Sequence, residues 1–188
     1  KIPTQYNGLG LSQVNYNRAL HLTGSYCGNL TALLSAHQSI GVPQPLLLFG
    51  TDEQKERFLP RFRDGAISAF ALTEANAGSD PRAMTTTATL TEDGSHYVIN
   101  GEKLWCTNGT KANVIVVMAA TPPKIVRGKE RKQITAFLVE RSFPGFSVGP
   151  KENKLGIRAS STCALALDQV RVPRANVLGE VGRGYKIA

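Results

Sequence analysis

The feature that most limits how this chain can fold is a change of residue pattern near Ile67. Before it, apolar residues between Leu11 and Phe62 recur at helical spacing. After it, short apolar and β-branched runs are separated by turn sequences, with no helical pattern between them. Many short strands joined by turns are typical of an antiparallel sandwich or barrel, whereas a parallel sheet needs helical crossovers. The sequence therefore predicts a multi-domain α+β chain, the end of an all-α domain followed by an antiparallel β-barrel.

The same change of pattern divides the chain into three parts. We expect a helical domain over residues 1–65, a β-barrel over residues 66–178, and the start of a further helical domain over residues 179–188. A length of 188 residues is a little more than one domain of about 150 residues. The abrupt first and last residues suggest a piece of a longer protein.

Local signals place several elements. Thr51 followed by Gln54 is the pattern of a capping box at the start of a short helix, and Pro43 is expected to interrupt the helix before it. Asp93-Gly94 and Asn100-Gly101 predict tight turns between strands, because glycine adopts positive φ without strain.

The charge balance limits the classes of partner. The chain carries 22 lysines and arginines against 14 acidic residues, a net charge of +8. Such a balance suits nucleic acid, an anionic membrane surface or a phosphorylated small molecule. The densest basic run, Lys124–Lys132, has no aromatic residues interleaved with it, which disfavours nucleic acid. A solvated hairpin loop is the simpler interpretation of this run, and the alternative is an approach to a ligand phosphate, a protein or a membrane.

Cysteine and histidine patterns argue against two kinds of stabilising site. The cysteines are odd in number and far apart, which disfavours a secreted disulfide framework and favours a reduced compartment. No histidine has another histidine or a cysteine at zinc-ligand spacing, so no metal is expected. The residues concerned are Cys27, Cys106, Cys163, His21, His37 and His96.

Two stretches carry the ligand-binding signal. The first, Phe70–Asp80, runs from a predicted strand into a loop of small and hydroxyl residues, where free backbone N–H groups can bind an anion or the edge of a ring. The second contains Trp105 and Thr107, which share one face of a strand. Trp105 could cover a planar cofactor while Thr107 bonds a ring nitrogen. A core tryptophan beside a turn threonine is the alternative.

Together the two stretches resemble the acyl-CoA dehydrogenases. Phe70–Asp80 (FALTEANAGSD) resembles the family's flavin-binding signature, and Asn100–Gly109 (NGEKLWCTNG) its second flavin segment. Ala36–Gly41 is similar to the last helices of the family's N-terminal helical domain. Lys154–Ser160 and Val177–Gly182 are most similar to the very-long-chain branch. The resemblance covers the whole chain. It departs at Ala75 and Asn76, because the family usually has a proline after the Thr-Glu pair.

The resemblance implies an FAD enzyme that oxidises an acyl-CoA to the trans-2-enoyl-CoA. It implies that the first stretch runs along the isoalloxazine, that Trp105 covers the ring and that Thr107 bonds near N5. Ser79 would also meet the CoA part of the substrate. The implied cofactor-binding residues are Phe70, Ala71, Leu72, Thr73, Ser79, Trp105, Cys106 and Thr107.

The resemblance assigns no catalytic residue to this chain. The family's base is a glutamate of the C-terminal helical domain, and Glu74, Glu102 and Glu140 match no catalytic position. We therefore expect weak FAD binding and no turnover from these residues alone. The small side chains of Ala32 and Ala36, where shorter-chain members carry polar residues, predict an acyl tunnel open to long chains.

The resemblance also implies partners and a compartment. The partners are a fatty acyl-CoA substrate, electron-transfer flavoprotein as acceptor, and further copies of the chain in a dimer or tetramer. The compartment is the mitochondrial matrix side in a eukaryote and the cytoplasm in a bacterium. Two alternatives remain open: an acyl-CoA oxidase, which passes electrons to oxygen, and a non-catalytic scaffold that assembles a respiratory complex.

Overall fold

The computed structural model describes residues 1–188 apart from the side chain of Val126. The four α-helices are α1 (Gln13–Tyr26), α2 (Gly28–Ser35), α3 (Pro43–Phe49) and α4 (Asp52–Phe58), and a π-helical turn, Ala36–Ile40, follows α2 directly. The eight strands are β1 (Ser68–Ala71), β2 (Thr87–Leu90), β3 (His96–Thr107), β4 (Val114–Val126), β5 (Lys129–Glu140), β6 (Phe146–Lys151), β7 (Thr162–Pro173) and β8 (Val177–Leu178). Short 3₁₀ turns span Thr4–Tyr6, Pro60–Phe62, Pro81–Ala83, Arg174–Asn176 and Gly184–Lys186. The order of helices and then strands is as predicted.

The capping box at α4 is present. The Gln54 amide N–H donates to Thr51 Oγ1 at 3.2 Å, and the Thr51 amide N–H donates to Gln54 Oε1 at 3.1 Å. Gln54 Nε2 also donates to the carbonyls of Ala175 and Val177, at 2.7 and 2.8 Å. One residue thus starts the helix and attaches it to the end of the sheet. Pro43 begins α3 instead of breaking a helix, because the first turn needs no N–H from it.

The prediction of an antiparallel barrel is wrong in two respects. The strands form one mixed sheet in the order β6-β7-β3-β2-β4-β5-β8, with β1 beside β4, and among the described residues β6 and β8 do not pair to close it. β1 runs parallel to β4, from Ser68 opposite Val114 to Ala71 opposite Val117. β2 meets the same edge of β4 farther along, with Thr87 opposite Ala120. The segment of residues 72–86 leaves the sheet between these two pairings.

The predicted turn at Asn100-Gly101 is also wrong. β3 continues through it and pairs with β7 on both sides, with a register shift between Ile99 and Gly101. Gly101 takes φ +147°, and a Cβ there would lie 2.5 Å from Thr86 Oγ1. Between Ile99 and Gly101, β7 carries one residue more than β3, so the bulge lies on β7, and the glycine of β3 allows the close backbone approach. The predicted turn at Asp93-Gly94 does join β2 to β3.

Two apolar clusters lie on opposite faces of β4. Ile115 and Val117 point into a cluster enclosed by β3, β5 and β7, whereas Val116 and Met118 point into a cluster shared with the helices. All four are fully buried. Burial on both faces explains why this strand is an unbroken apolar run.

The basic run lies at the exposed end of the β4–β5 hairpin. Lys124 pairs in register with Arg131, and Ile125 with Glu130. Arg127 and Gly128 both have positive φ, +51° and +72°, as a two-residue hairpin turn requires. We call residues 124–132 the basic hairpin.

None of the described helices is long and apolar enough to cross a membrane.

Candidate functional site

A cavity of about 200 Å³ lies where the π-helical turn faces β1 and the end of β3. Ala36 and Ile40 line it from the turn, and Ala69 lines it from β1. Phe70, Trp105 and Thr107 complete the lining. Its walls are therefore small side chains, two aromatic rings and one threonine. Such a lining suits a flat, largely apolar ligand with a polar edge.

The π-helical turn is fixed to β1 through His37 and Ser68. The Ser68 amide N–H donates to His37 Nδ1 at 3.1 Å, and Ser68 Oγ donates to the His37 carbonyl at 3.0 Å. Burial, followed by the positive N-terminus, lowers the pKa of His37, which favours the neutral ring that accepts this bond. The cavity wall from Ala36 to Ile40 is thus attached next to Phe70. π-Helical turns occur often at functional sites.

Trp105 is directed into the cavity by a second bulge in β3. The pairing with β7 shifts register between Lys103 and Cys106, and Trp105 lies in between with φ +51°. Its side chain is 61% exposed. A bulky residue with positive φ is strained and persists only where its surroundings hold it. Strain at an exposed aromatic ring makes Trp105 a candidate functional residue.

The loop of residues 72–86 is organised around the carboxylate of Glu74. Glu74 Oε2 accepts from the Thr85 amide at 2.6 Å and from Thr85 Oγ1 at 2.7 Å, and Oε1 accepts from the Thr86 amide at 3.1 Å. The Glu74 amide donates to the Ala77 carbonyl at 2.9 Å, and the Ala77 amide returns a bond of 3.2 Å. Both ends of the loop are therefore tied to one side chain.

Glu74 also forms an ion pair inside the protein. Lys103 Nζ lies 2.6 Å from Glu74 Oε1, and the two side chains are 0% and 5% exposed. Burial acts to raise the pKa of Glu74, but hydrogen bonds from Lys103, Thr86 and Thr85 hold it well below its usual range. Burial lowers the pKa of Lys103, and Glu74 opposes that shift. The carboxylate is thus ionised and fully engaged, and it does not have the properties of a free base.

The other glutamates considered from the sequence lie elsewhere. Glu140 accepts from Arg57 at 2.6 Å and from Arg61 at 2.9 Å, which joins β5 to the helical part. Glu102 is exposed on β3. Among the described residues no group of His, Cys, Asp and Glu could hold a metal ion.

The structure brings three of the predicted cofactor residues together and separates the others. Phe70, Trp105 and Thr107 line the cavity. Leu72 and Thr73 follow Phe70 at the edge of the loop and are half-buried. Ser79 is exposed on the loop and does not line the cavity.

Ala71 and Cys106 point away from the cavity into the apolar cluster between β3, β4 and β7. The Cys106 thiol lies 3.6 Å from the Phe70 carbonyl, and burial, with a smaller effect of Cys163, raises its pKa to about 12. Any contact of these two residues with a ligand in the cavity would use the backbone.

Two contributors to the site lie outside the residues that the sequence predicts. Ile40 lines the cavity from a π-helical turn, which no sequence pattern indicated. Lys103 is not among the predicted site residues, although the alternation along β3 from Tyr97 and Ile99 places it on the inward face. An inward-facing lysine on a strand requires a buried partner, and that signal was available.

A helical part packed on a mixed sheet, with an aromatic-walled cavity beside a loop of small residues, is an arrangement that suits a flat ligand. Comparison with known proteins gives the family. Residues 1–66 match the acyl-CoA dehydrogenase N-terminal domain, and residues 69–170 match the acyl-CoA dehydrogenase middle domain. The chain belongs to the acyl-CoA dehydrogenase family, as its two flavin-like segments indicated.

Relatives resemble the chain over its whole length. A probable acyl-CoA dehydrogenase, FadE10, of Mycobacterium tuberculosis (strain H37Rv) is 50% identical over 188 residues, which are 100% of this chain and 28% of that protein. The mitochondrial very long-chain specific acyl-CoA dehydrogenase of Homo sapiens is 44% identical over 100% of this chain and 29% of its own length. The chain thus spans less than a third of these relatives.

Solved structures support the fold. An acyl-CoA dehydrogenase from Bacillus anthracis, complexed with FAD, matches with a TM-score of 0.87 and 40% identity over 99% of this chain and 30% of that one. The butyryl-CoA dehydrogenase of Megasphaera elsdenii matches with a TM-score of 0.88 and 39% identity over 98% of this chain and 48% of its own.

Proposed function

We propose that these residues form part of the flavin and acyl-CoA site of an FAD-dependent acyl-CoA dehydrogenase acting on long-chain fatty acyl-CoA in fatty acid β-oxidation. The observation that carries the proposal is the cavity lined by Phe70, Trp105 and Thr107. Two segments far apart in sequence contribute to it, and both are the segments that resemble the family's flavin-binding motifs.

The residues of the cavity fit a flavin ring. Ala36 has no bulk to block the approach of a flat ring, and Trp105 offers an exposed aromatic face. Thr107 offers a hydroxyl beside them. When bound, FAD supplies the acceptor for the hydride that leaves the β-carbon of the thioester.

The chain's own residues then have distinct tasks. Trp105 covers the ring and excludes water from it, and Thr107 donates a hydrogen bond to its polar edge. A fixed donor at a position where negative charge develops lowers the barrier for hydride transfer. Phe70 to Thr73 lie along the ring, and Ser79 contacts the CoA part of the substrate. The base that removes the α proton is expected in a C-terminal helical domain.

Acyl chain length is proposed from the helical side of the cavity. Ala36 lines the cavity with its methyl group only, and Ala32 lies one turn earlier on α2. Small residues here leave room for a long alkyl chain. The human relative is described as very long-chain specific, which agrees with this proposal. Replacing Ala36 with leucine should shift the preference toward shorter acyl chains.

An acyl oxidase is the second candidate. The prolyl acyl carrier protein oxidase AnaB matches this chain with a TM-score of 0.87 and 38% identity over 99% of the chain. Electron-transfer flavoprotein is the acceptor under the first proposal, and oxygen under the second. Peroxide released in air without an added acceptor would favour the oxidase.

The remaining proposals concern assembly and compartment. We infer a homo-oligomer, in the mitochondrial matrix of a eukaryote or the cytoplasm of a bacterium. The mitochondrial relative is consistent with the first compartment, and the mycobacterial relative is consistent with the second.

The decisive experiment uses the protein at its natural length. The purified protein should carry bound FAD, and anaerobic addition of palmitoyl-CoA should bleach the visible flavin band. Thr107→Val should slow this bleaching about tenfold or more, because it removes one donor to the ring. Thr89→Val, the same substitution on an exposed position of β2, is the matched control. A protein that binds no FAD would overturn the proposal.

A further inference from the structure

We propose that Glu74 and Lys103 act as a positioning pair that holds the two flavin segments at a fixed separation and keeps Trp105 in its strained conformation. The inference rests on the proposed function, since it concerns residues that would face the flavin. Neither side chain lines the cavity, so each acts through its neighbours.

The pair joins the two segments directly. Glu74 lies within the first segment, directly after Thr73, and Lys103 lies two residues before Trp105 in the second segment. Lys103 Nζ lies 2.6 Å from Glu74 Oε1 and donates to the Leu72 carbonyl at 3.3 Å. One ammonium group thus contacts both the backbone and the carboxylate of the opposite segment.

A backbone bond next to the pair extends the link to the strained residue. The Leu104 amide donates to the Thr73 carbonyl at 2.8 Å. Leu104 is the residue immediately before Trp105, whose φ is +51°. The bulge that directs Trp105 into the cavity is therefore fixed on both sides. Before it lies the bond from Leu104 to the first segment, and after it β3 pairs with β7 again at Cys106.

Charge burial favours a positioning role over a role in stability. Both side chains are almost completely removed from water, and a buried ion pair is often no more stabilising than apolar residues of the same volume. However, few arrangements of the two side chains are allowed, because each buried charge needs all its hydrogen-bond partners in place. Glu74 does so with Lys103, Thr85 and Thr86. The pair thereby selects a single arrangement of the loop.

The test compares two glutamates that each bind cationic side chains. Glu74→Gln breaks the pair at the flavin segments, whereas Glu140→Gln breaks the contacts of Arg57 and Arg61 away from the cavity. In the natural-length protein both variants should lower the thermal midpoint. Only Glu74→Gln should weaken FAD binding, by about tenfold, and alter the shape of the visible flavin band. Equal effects of the two variants on FAD affinity would overturn the proposal.

A readout without flavin keeps the two proposals separate. Amide hydrogen exchange in Glu74→Gln should accelerate in residues 72–86 and at Leu104 and Trp105, and the same amides should remain protected in Glu140→Gln. Wild-type protein that binds no FAD overturns the proposed function, and unchanged exchange in Glu74→Gln overturns the positioning pair. Each idea can therefore fail without the other.

Two further variants cover the case in which Glu74→Gln does not fold. Glu74→Gln combined with Lys103→Met leaves no uncompensated charge, so it should fold and still bind FAD about tenfold more weakly. Thr85→Val removes one hydroxyl donor and leaves the ion pair intact, so it should weaken binding about threefold, with Thr89→Val as its control. Wild-type affinity in the double variant would contradict the proposal.

Discussion

Lys103 and the lysines of the basic hairpin carry the same charge in opposite settings. Lys103 is 0% exposed and has a carboxylate and a carbonyl as partners. In the hairpin, Lys124 and Lys129 are exposed, and Lys124 lies directly across the ladder from Arg131. Like charges opposite each other on a ladder are destabilising. In the first region both charges have partners inside the protein, whereas Lys124 and Lys129 of the hairpin are exposed to water and salt. Lys132, at the base of the hairpin, donates to the carbonyls of Arg82 and Met84.

The difference shows where charge determines structure. In the interior the ammonium group needs specific acceptors, because leaving it without them would be very unfavourable. The loop of residues 72–86 has consequently only one arrangement that satisfies Lys103 and Glu74. At Lys124 and Lys129, solvent satisfies the cations in many arrangements, so these two residues constrain the fold very little.

Removing the buried cation should have the largest effect. Lys103→Met leaves the Glu74 carboxylate buried without its cation, so we expect a loss of about 3–5 kcal/mol in the free energy of unfolding. Urea denaturation measures this loss. Lys129→Met, the same substitution in the hairpin, should change stability by less than about 0.5 kcal/mol. Similar losses in both variants would remove the contrast between the two regions.

Acid should weaken the buried pair next. The pKa of Glu74 is held below its usual value of 4.5, so the unfolded chain binds the proton first as the pH falls. The stability from this group is complete above the unfolded pKa and is lost as the pH drops through the folded pKa. Because the folded pKa of Glu74 lies at about 2, unfolding curves between about pH 5 and 2 should show this loss in the wild type and a shallower one in Glu74→Gln. Equal slopes would count against a lowered pKa.

Breaking a half-exposed ion pair should destabilise the protein less than breaking the buried pair and more than a substitution in the hairpin. Arg57 and Arg61 remain 50% and 36% exposed beside Glu140, so water compensates part of what Glu140→Gln removes. We expect a loss of about 1 kcal/mol. Glu130→Gln in the hairpin should have almost no effect on the urea midpoint. A loss as large as that of Lys103→Met would mean that the exposure of an ion pair does not determine how much free energy of unfolding its removal costs.

The smallest expected effect is an increase in stability from reversing one charge in the hairpin. Lys124→Glu places opposite charges across from each other at Arg131, which should stabilise the protein by about 0.2–1 kcal/mol. The gain should shrink in high salt, because exposed pairs are screened. Lys111→Glu, an equal change of charge at an exposed position outside the hairpin, is the control. An equal gain there would indicate an effect of net charge alone.

Parts of the fold could be read from the sequence because they depend on neighbouring residues. The capping box at Thr51 and the turn at Asp93-Gly94 need only a few adjacent side chains, and both are present. The solvated position of the basic hairpin follows from its charges. The two flavin-like segments indicated the family, since each is a contiguous motif.

Other parts depend on residues that meet only in the folded chain. β1 and β2 each look like separate short strands, but they meet one edge of β4 in succession. Asn100-Gly101 looks like a turn, but it stays within β3, opposite a bulge of β7 where the Gln169 amide donates to Asn100 Oδ1 at 2.8 Å. The Glu74–Lys103 contact spans 29 positions. No local pattern contains these pairings.

The pairing of β3 with β7 has a consequence for synthesis on the ribosome. β3 ends at Thr107 and β7 begins at Thr162, so the second neighbour of β3 is made about 55 residues after it. At about 5–20 residues per second, this interval lasts roughly 3–11 s. During it one edge of a long strand stays open to pairing with other chains. Slow translation of residues 108–173 therefore lengthens the aggregation-prone interval of the nascent protein, and chaperones that cover β3 act in that interval.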